Sequence, residues 1–282
     1  MKYLDPKADL TFKKVFGGHP DLVISFLNAL LPISEEDAIT EIEYLPSDLV
    51  PDNPWRKYSI VDVRCKDKKE RQFLVEMQME WSPEFEKRVL FNASKAYVKQ
   101  LEAGENYELL QPVYSLNLVN SIIEPKLEGF YHHYAMIHVE HSDKVIEGLQ
   151  LIFVELPKFN PETYSGKKMQ ILWLRFLTEI GEKTREAPEE LTSDPLIQKA
   201  LTQLQESAFT DVELAGYEKF WDSVSIARTL HSSWVREGRR EGMKEGIAKG
   251  KAEVALSLKQ KGMDIASIAD ATGLPIDFIA AL

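Results

Sequence analysis

Residues 57–78, KYSIVDVRCKDKKERQFLVEMQ, limit what this chain can fold into more than any other stretch. They read as two β-strands joined by a charged turn, with Asp62 on the first strand and Glu76 and Gln78 on the second. A strand has a period of two, so Ile60, Asp62 and Arg64 share one face, as do Leu74, Glu76 and Gln78. The opposite faces, Val61, Val63 and Cys65 with Phe73, Val75 and Met77, are wholly apolar, the pattern of central strands covered on both sides. A carboxylate among such strands is costly unless a cation or hydrogen bonds compensate it. Two of them on paired strands point to a divalent metal.

The rest of the composition sets bounds. At 282 residues, 44% hydrophobic and 28% charged, the chain is long enough for one or two domains with a substantial core and lacks the bias of a disordered protein. It has no run of eighteen apolar residues, so no membrane span is expected. The opening MKYLDPKADLTF lacks the apolar centre of a signal peptide, and the cytoplasm is the expected compartment. One cysteine, Cys65, excludes an intramolecular disulfide and a cysteine-based zinc site. A net charge of −11 argues against gripping nucleic acid by bulk attraction, although a local patch or a bound metal governs binding at a site.

Helical spacing of apolar residues predicts helix over 6–31 with a break at Gly17-Gly18-His19-Pro20. Asp9 falls near its start, where a cap or dipole role is the plain reading, and Lys13 and Lys14 read as a solvated face rather than as phosphate contacts. Residues 38–45 predict a first strand and 66–71 an exposed turn. Ser82 and Pro83 open a helix whose stripe is Phe85, Val89, Ala93, Ala96 and Leu101, with Gly104 as its stop. Arg88 on that helix either reaches the carboxylates or sits at the surface.

Strand-like runs follow at 113–120, 130–139 and 149–154. His132 and His133 fall on opposite faces of the middle run, so they read as structural or exposed residues rather than a zinc pair. Helix is predicted over 167–180 and 196–234, separated by a polar, turn-rich 181–195. Three domains are expected: a core over 1–160, a helical subdomain over 161–235 and a tail over 236–282. In the tail, Gly238, Gly242, Gly246 and Gly250 form one stripe if helical, each costing about 1 kcal/mol against alanine. That pattern reads as either a charged linker or a polar, self-associating helix. The segment 265–282 has the outline of a helix-turn-helix, but its second helix carries only Asp277 as a charge, which is poor for reading bases.

Phosphodiester hydrolysis needs an activated water and compensation of charge at phosphorus, and carboxylate-held Mg²⁺ supplies both. Asp62 and Glu76 on adjacent strands can bring oxygens to one ion, with Gln78 pointing the same way. The pattern Asp…Glu-x-Gln resembles the motif of PD-(D/E)XK nucleases with glutamine at the lysine position. The chain more closely resembles the Rpn family of recombination-promoting nucleases and transposases. The resemblance rests on DLTFKKVFG at 9–17, FLNALL at 26–31, IVDVRC at 60–65, FLVEMQ at 73–78, Arg88, the Gln100…Gly104…Tyr107 segment, VELPKF at 154–159 and the glycine-every-four tail.

That resemblance implies an α/β fold with a restriction-endonuclease-like core, a mixed central sheet flanked by helices and a helical C-terminal region. It implies a Mg²⁺-dependent DNA endonuclease, with Mn²⁺ as an alternative ion, that takes DNA as its partner and promotes recombination or transposition. Asp62 and Glu76 would be the metal ligands, Gln78 would orient water or phosphate, and Asp9 would be the acid from the N-terminal helix. Without the lysine ammonium, positive charge must come from elsewhere, with Arg88, Lys87 and Lys95 as candidates. The competing expectation is a weak or inactive nuclease fold serving as a DNA-associated or protein-interaction module. Homo-oligomerisation through 236–262 is expected in either case. No G-x-S-x-G elbow, phosphate loop or dinucleotide turn occurs, and the acid pair sits on one hairpin rather than across the distant segments of an RNase H-like site.

Overall fold

A computed structural model describes residues 2–49 and 59–282, so Lys57 and Tyr58 of the hairpin stretch lie outside the described residues. Two helices come first, α1 (Asp9–Phe16) and α2 (Pro20–Leu30), parted at Gly17–Gly18 where the apolar period breaks. Then come short strands β1 (Ile42–Tyr44), β2 (Asp48–Leu49) and β3 (Ser59–Ile60), followed by the hairpin β4 (Val63–Asp67) and β5 (Gln72–Gln78). Helix α3 (Pro83–Val98) leads to β6 (Val113–Val119), β7 (Tyr131–Ile137) and β8 (Val145–Glu155). Helices α4 (Lys168–Glu179), α5 (Glu189–Thr192), α6 (Pro195–Gln203), α7 (Asp211–Gln260), α8 (Ile265–Thr272) and α9 (Ile276–Ala281) complete the chain.

The sheet has six strands in the order β1-β4-β5-β6-β8-β7. β5, β6 and β8 run parallel at its centre, and antiparallel strands flank them, so this is the mixed sheet that the family resemblance implies. Its two faces differ. One carries Val63, Cys65, Phe73, Val75, Leu116, Leu118, Ile152 and Val154 into a core shared with α1, α2, α4 and α6. Trp173 of α4 lies at the heart of that layer, 5.5 Å from the Phe16 ring and 5.4 Å from the Phe26 ring. The other face is covered by α3 through Val61, Leu74, Ala93, Ala96 and Val113, and through Phe85, Val89, Val119 and Phe153. That second face also holds the buried polar residues Glu76, Ser115 and Asn117, with Glu76 and Asn117 in register on β5 and β6.

Four local departures from the sequence reading have identifiable causes. β1 is shorter than 38–45 because the Asn28 side chain takes both backbone groups of Ile39 before the ladder begins. The 66–71 turn is not a solvated loop throughout. Asp67 and Arg71 are buried, with Arg71 bonded to the Asp67 carboxylate and to Asp37. α3 ends at Val98 rather than at Gly104, after which the Gln100 amide bonds both backbone groups of Gln111. β8 begins four residues before 149, because it pairs with β7 across an irregularity at Ala135/Met136.

The chain divides into two units, Met1–Val224 and Ser225–Leu282. In the second, Ala255, Ile268 and Ile279 form a small core. Asp264 caps α8, and Gly273 closes it in the left-handed conformation at φ 68°, which glycine adopts without a Cβ clash. Residues 236–250 are helical, and a Cβ added at Gly238, Gly242, Gly246 or Gly250 would meet nothing within 4 Å. Among the described residues, no helix is long and apolar enough to cross a membrane.

Candidate active site

Asp62 lies in a bend just before β4 rather than inside a strand. The bend resets the alternation: Val61 packs with Leu49 and Leu74 under α3, whereas Val63 turns to the opposite core. The β4–β5 ladder ends at Val63↔Val75, and Asp62 Oδ2 accepts the Met77 amide at 2.7 Å in place of a backbone partner. Its other oxygen, Oδ1, lies 4.0 Å from Lys13 Nζ, and the side chain is 20% exposed. Burial pushes the Asp62 carboxyl up to about 6; the Met77 amide and Lys13 pull against this, and the charges of Asp9 and Glu76 add to it.

Glu76 stands on β5 beneath α3 and is almost wholly buried. Asn92 Nδ2 donates to its Oε1 at 3.0 Å, and Arg88 Nη2 lies 3.4 Å from its Oε2. Burial raises the Glu76 carboxyl above its ordinary value, and the donors on α3 offset only part of the rise. Arg88 Nη2 also donates to Gln78 Oε1 at 2.8 Å, while Gln78 Nε2 donates to the Glu80 carbonyl at 2.7 Å. Phe85 supports the guanidinium, with 4.7 Å between Arg88 Cζ and the ring centroid. Helical spacing aligns these groups, since Phe85, Arg88 and Asn92 lie three and four residues apart on one side of α3.

Asp62, Glu76 and Gln78 line one cleft of about 720 Å³, together with Lys87, Arg88 and Phe91. Asp9, the fourth residue singled out from sequence, begins α1 and joins the group through Lys13, whose Nζ lies 2.7 Å from its Oδ1. Of the three candidate cations, Arg88 and Lys87 line the cleft, whereas Lys95 donates to the Leu49 carbonyl. The histidines go elsewhere: His132 Nε2 is 2.8 Å from Glu155 and His133 Nε2 is 2.6 Å from Gln150.

The sequence reading missed Asn92 and took Lys13 for part of a solvated face. Asn92 had a legible signal, because it falls three residues after Val89 on the apolar stripe, where a polar side chain is out of place. Lys13 had only its i,i+4 relation to Asp9, which says nothing about Asp62.

The donor set suits a hard divalent ion. Of the three carboxylates that line the cleft, Asp62, Glu76 and Glu84, burial lifts the first two, which leaves them short of positive charge. Among the described residues no group of three or more His, Cys, Asp or Glu is placed to hold a metal ion together. Mg²⁺ is ordinarily held by one or two carboxylates, with water and phosphate completing its shell. Asn92 Oδ1 is a buried oxygen without a hydrogen-bond partner, on the side chain that holds Glu76.

A mixed sheet with an acid pair at the end of a central hairpin, covered by one helix that supplies its basic groups, defines an α/β nuclease of the PD-(D/E)XK type. The chain belongs to the PD-(D/E)XK nuclease family transposases, whose family profile matches residues 6–225. That span takes in the whole sheet, α3 and the helices on both faces. No curated protein and no solved structure matches the chain. Nucleases of this kind typically act on DNA with a divalent metal.

Proposed function

We propose that the protein is a Mg²⁺-dependent endodeoxyribonuclease, with Mn²⁺ as a competent substitute, acting in the cytoplasm in DNA recombination or transposition. The observation that carries this reading is the pair of under-compensated carboxylates, half-buried Asp62 and buried Glu76, on one cleft. When bound, a divalent ion would supply Lewis acidity towards water and phosphate oxygens. Asp62 and Glu76 would hold it, and their own geometry is fixed by the Met77 amide on one side and Asn92 on the other. Gln78 holds Arg88 at the edge of Glu76, so that a guanidinium rather than an ammonium faces the anionic substrate from this wall. In the reaction, a water oxygen forms the new P–O bond, the ester P–O bond breaks, and the departing oxygen takes up a proton. Self-association through 236–262 belongs to the same reading, since the glycine stripe there is open to a second helix.

Purified protein should nick or cut supercoiled plasmid with Mg²⁺, and EDTA should stop it. Asp62→Asn and Glu76→Gln proteins with wild-type circular dichroism should not cut. If the wild type binds DNA yet leaves it intact with Mg²⁺ and with Mn²⁺, the chain is instead a nuclease-fold interaction module. A sedimentation coefficient unaffected, per unit mass, by removal of 236–282 would rule out self-association through the tail.

A further inference from the structure

The PD-(D/E)XK pattern places a lysine two residues after its glutamate, and here that position is Gln78. We propose that Lys13, from α1, supplies the missing ammonium and contacts the substrate phosphate, with Asp9 as the residue that positions it. The inference rests on the nuclease reading above and names the group that reading lacks.

Three observations place Lys13 in this role. Its Nζ lies 4.0 Å from Asp62 Oδ1, the carboxylate oxygen that the Met77 amide does not use. It bonds Asp9 Oδ1 at 2.7 Å, one turn back on the same helix, and an ammonium has three donors to offer. Its side chain is 42% exposed, so a ligand arriving from solvent can reach it. The backbone under the pair is firm, because Phe12, Val15 and Phe16 of α1 are buried and fix which face of the helix Asp9 and Lys13 occupy.

The other cations are committed differently. Arg88 is shared between Glu76 and Gln78 and rests on Phe85. Lys95 donates to the Leu49 carbonyl, and Lys87 stands on the α3 wall of the cleft. Lys13 therefore approaches the acid pair from the Asp62 side, and Arg88 from the Glu76 side. In the protein as it stands, Lys13 offsets the charges of Asp9 and Asp62. A divalent ion on Asp62 would take over that role and leave the ammonium free for a phosphate oxygen. Asp9, whose carboxylate is half exposed, acts through Lys13.

The test uses the full chain and four variants: Lys13→Ala, Lys13→Gln, Asp9→Asn, and Lys13→Ala combined with Gln78→Lys. Two quantities are read for each, the single-turnover cleavage rate of plasmid DNA with Mg²⁺ and the Mn²⁺ affinity without DNA by calorimetry. Lys13→Ala and Lys13→Gln should slow cleavage by about 10²-fold, the usual cost of losing one charge-stabilising donor. Mn²⁺ should bind them as tightly as the wild type or more tightly, because a competing positive charge has left Asp62. Asp9→Asn should give a smaller loss of rate with the same metal affinity. Restoring a lysine by Gln78→Lys in the Lys13→Ala background should recover at least about a tenfold rate.

Cleavage by Lys13→Ala within twofold of wild type would overturn the assignment while leaving the nuclease reading intact. A fall in rate matched by an equal fall in Mn²⁺ affinity would also overturn it, because Lys13 would then merely support Asp62. A wild type that neither binds Mn²⁺ nor cuts DNA would overturn both readings together.

Discussion

Two buried glutamates in one sheet have opposite surroundings. Glu155, at the end of β8, is wholly buried, yet its carboxyl is held below the ordinary range. Burial alone would raise it, but Lys158 at 3.0 Å, the amides of Ile123 and Glu124 at 3.1 Å, and His132 at 2.8 Å more than compensate. Glu76 on β5 has Asn92 and a longer Arg88 contact, and its carboxyl stays raised. Asp62 beside it is raised further, to about 6. A carboxylate enclosed by its own donors ties loops together. One left short of positive charge on the wall of a cleft is suited to a cation from outside.

The sharpest way to break this distinction is to remove each acid in turn. Glu76→Gln and Asp62→Asn should lower the cleavage rate by about 10³-fold or more, on the order of 4 kcal/mol of transition-state stabilisation, in plasmid assays on folded protein. Glu155→Ala should instead destabilise the fold by about 3 kcal/mol in urea titrations, because Lys158 and two amides lose a buried acceptor. Its cleavage rate per folded molecule should equal that of the wild type. A Glu155→Ala protein that keeps its stability and loses its activity would reverse the assignment.

The pH dependence separates the two environments without touching DNA. The native Asp62 carboxyl is raised from 3.8 to about 6, so the folded state takes up protons more readily than the unfolded one in that window. The stability linked to this group is fully present below about 3.8 and is lost as pH rises through about 6, an effect of about 3 kcal/mol. In EDTA, Asp62→Asn should therefore be more stable than wild type at pH 8 and similar to it near pH 4. Adding Mg²⁺ at pH 8 should narrow the gap by stabilising the wild type. Glu155 has the opposite sign, because its lowered carboxyl contributes stability above the unfolded value that is lost as pH falls through the folded one. Urea midpoints measured across pH for the wild type and the two single variants would separate the slopes.

A smaller effect is expected at Asn92. Asn92→Leu keeps the buried volume but frees Glu76 Oε1, and Mn²⁺ affinity should fall by about tenfold, as for other residues that orient a ligand. Unchanged calorimetric affinity would show that Glu76 needs no such support. Gln78→Ala should cost least, a few-fold in cleavage rate, because Arg88 loses one of its two tethers and keeps Phe85 beneath it.

The elements that the sequence makes legible are those with an unbroken period. The apolar stripes give α1, α2, α3 and α4, and alternation gives the hairpin that carries Glu76 and Gln78. Alternation fails at Asp62, where the chain bends and sends Val61 and Val63 to opposite sides; a period of two cannot register a local reset. The tail reads in pieces because its glycines weaken the helical pattern, yet α7 runs through all four of them. Asn92 is visible as a polar residue on an apolar stripe, but its purpose depends on Glu76 lying opposite, and sequence spacing does not encode that. Lys13 looks like any solvated lysine until the fold brings α1 beside Asp62, forty-nine residues further along. Contacts within an element can be read from a string. Contacts between elements need the packing.

That packing has a temporal side. α1 and α2 bury their apolar sides against α4 and α6, so the first helices of the chain are covered by segments made among the last of this unit. At ordinary synthesis speeds, on the order of 10–40 s separates the emergence of Phe16 from that of Leu201. Through that interval a nascent chain exposes a greasy N-terminal pair of helices, and Asp9 and Lys13 have no fixed platform from which to meet Asp62. Products broken off before α6 should therefore be sticky and blunt, however complete their hairpin.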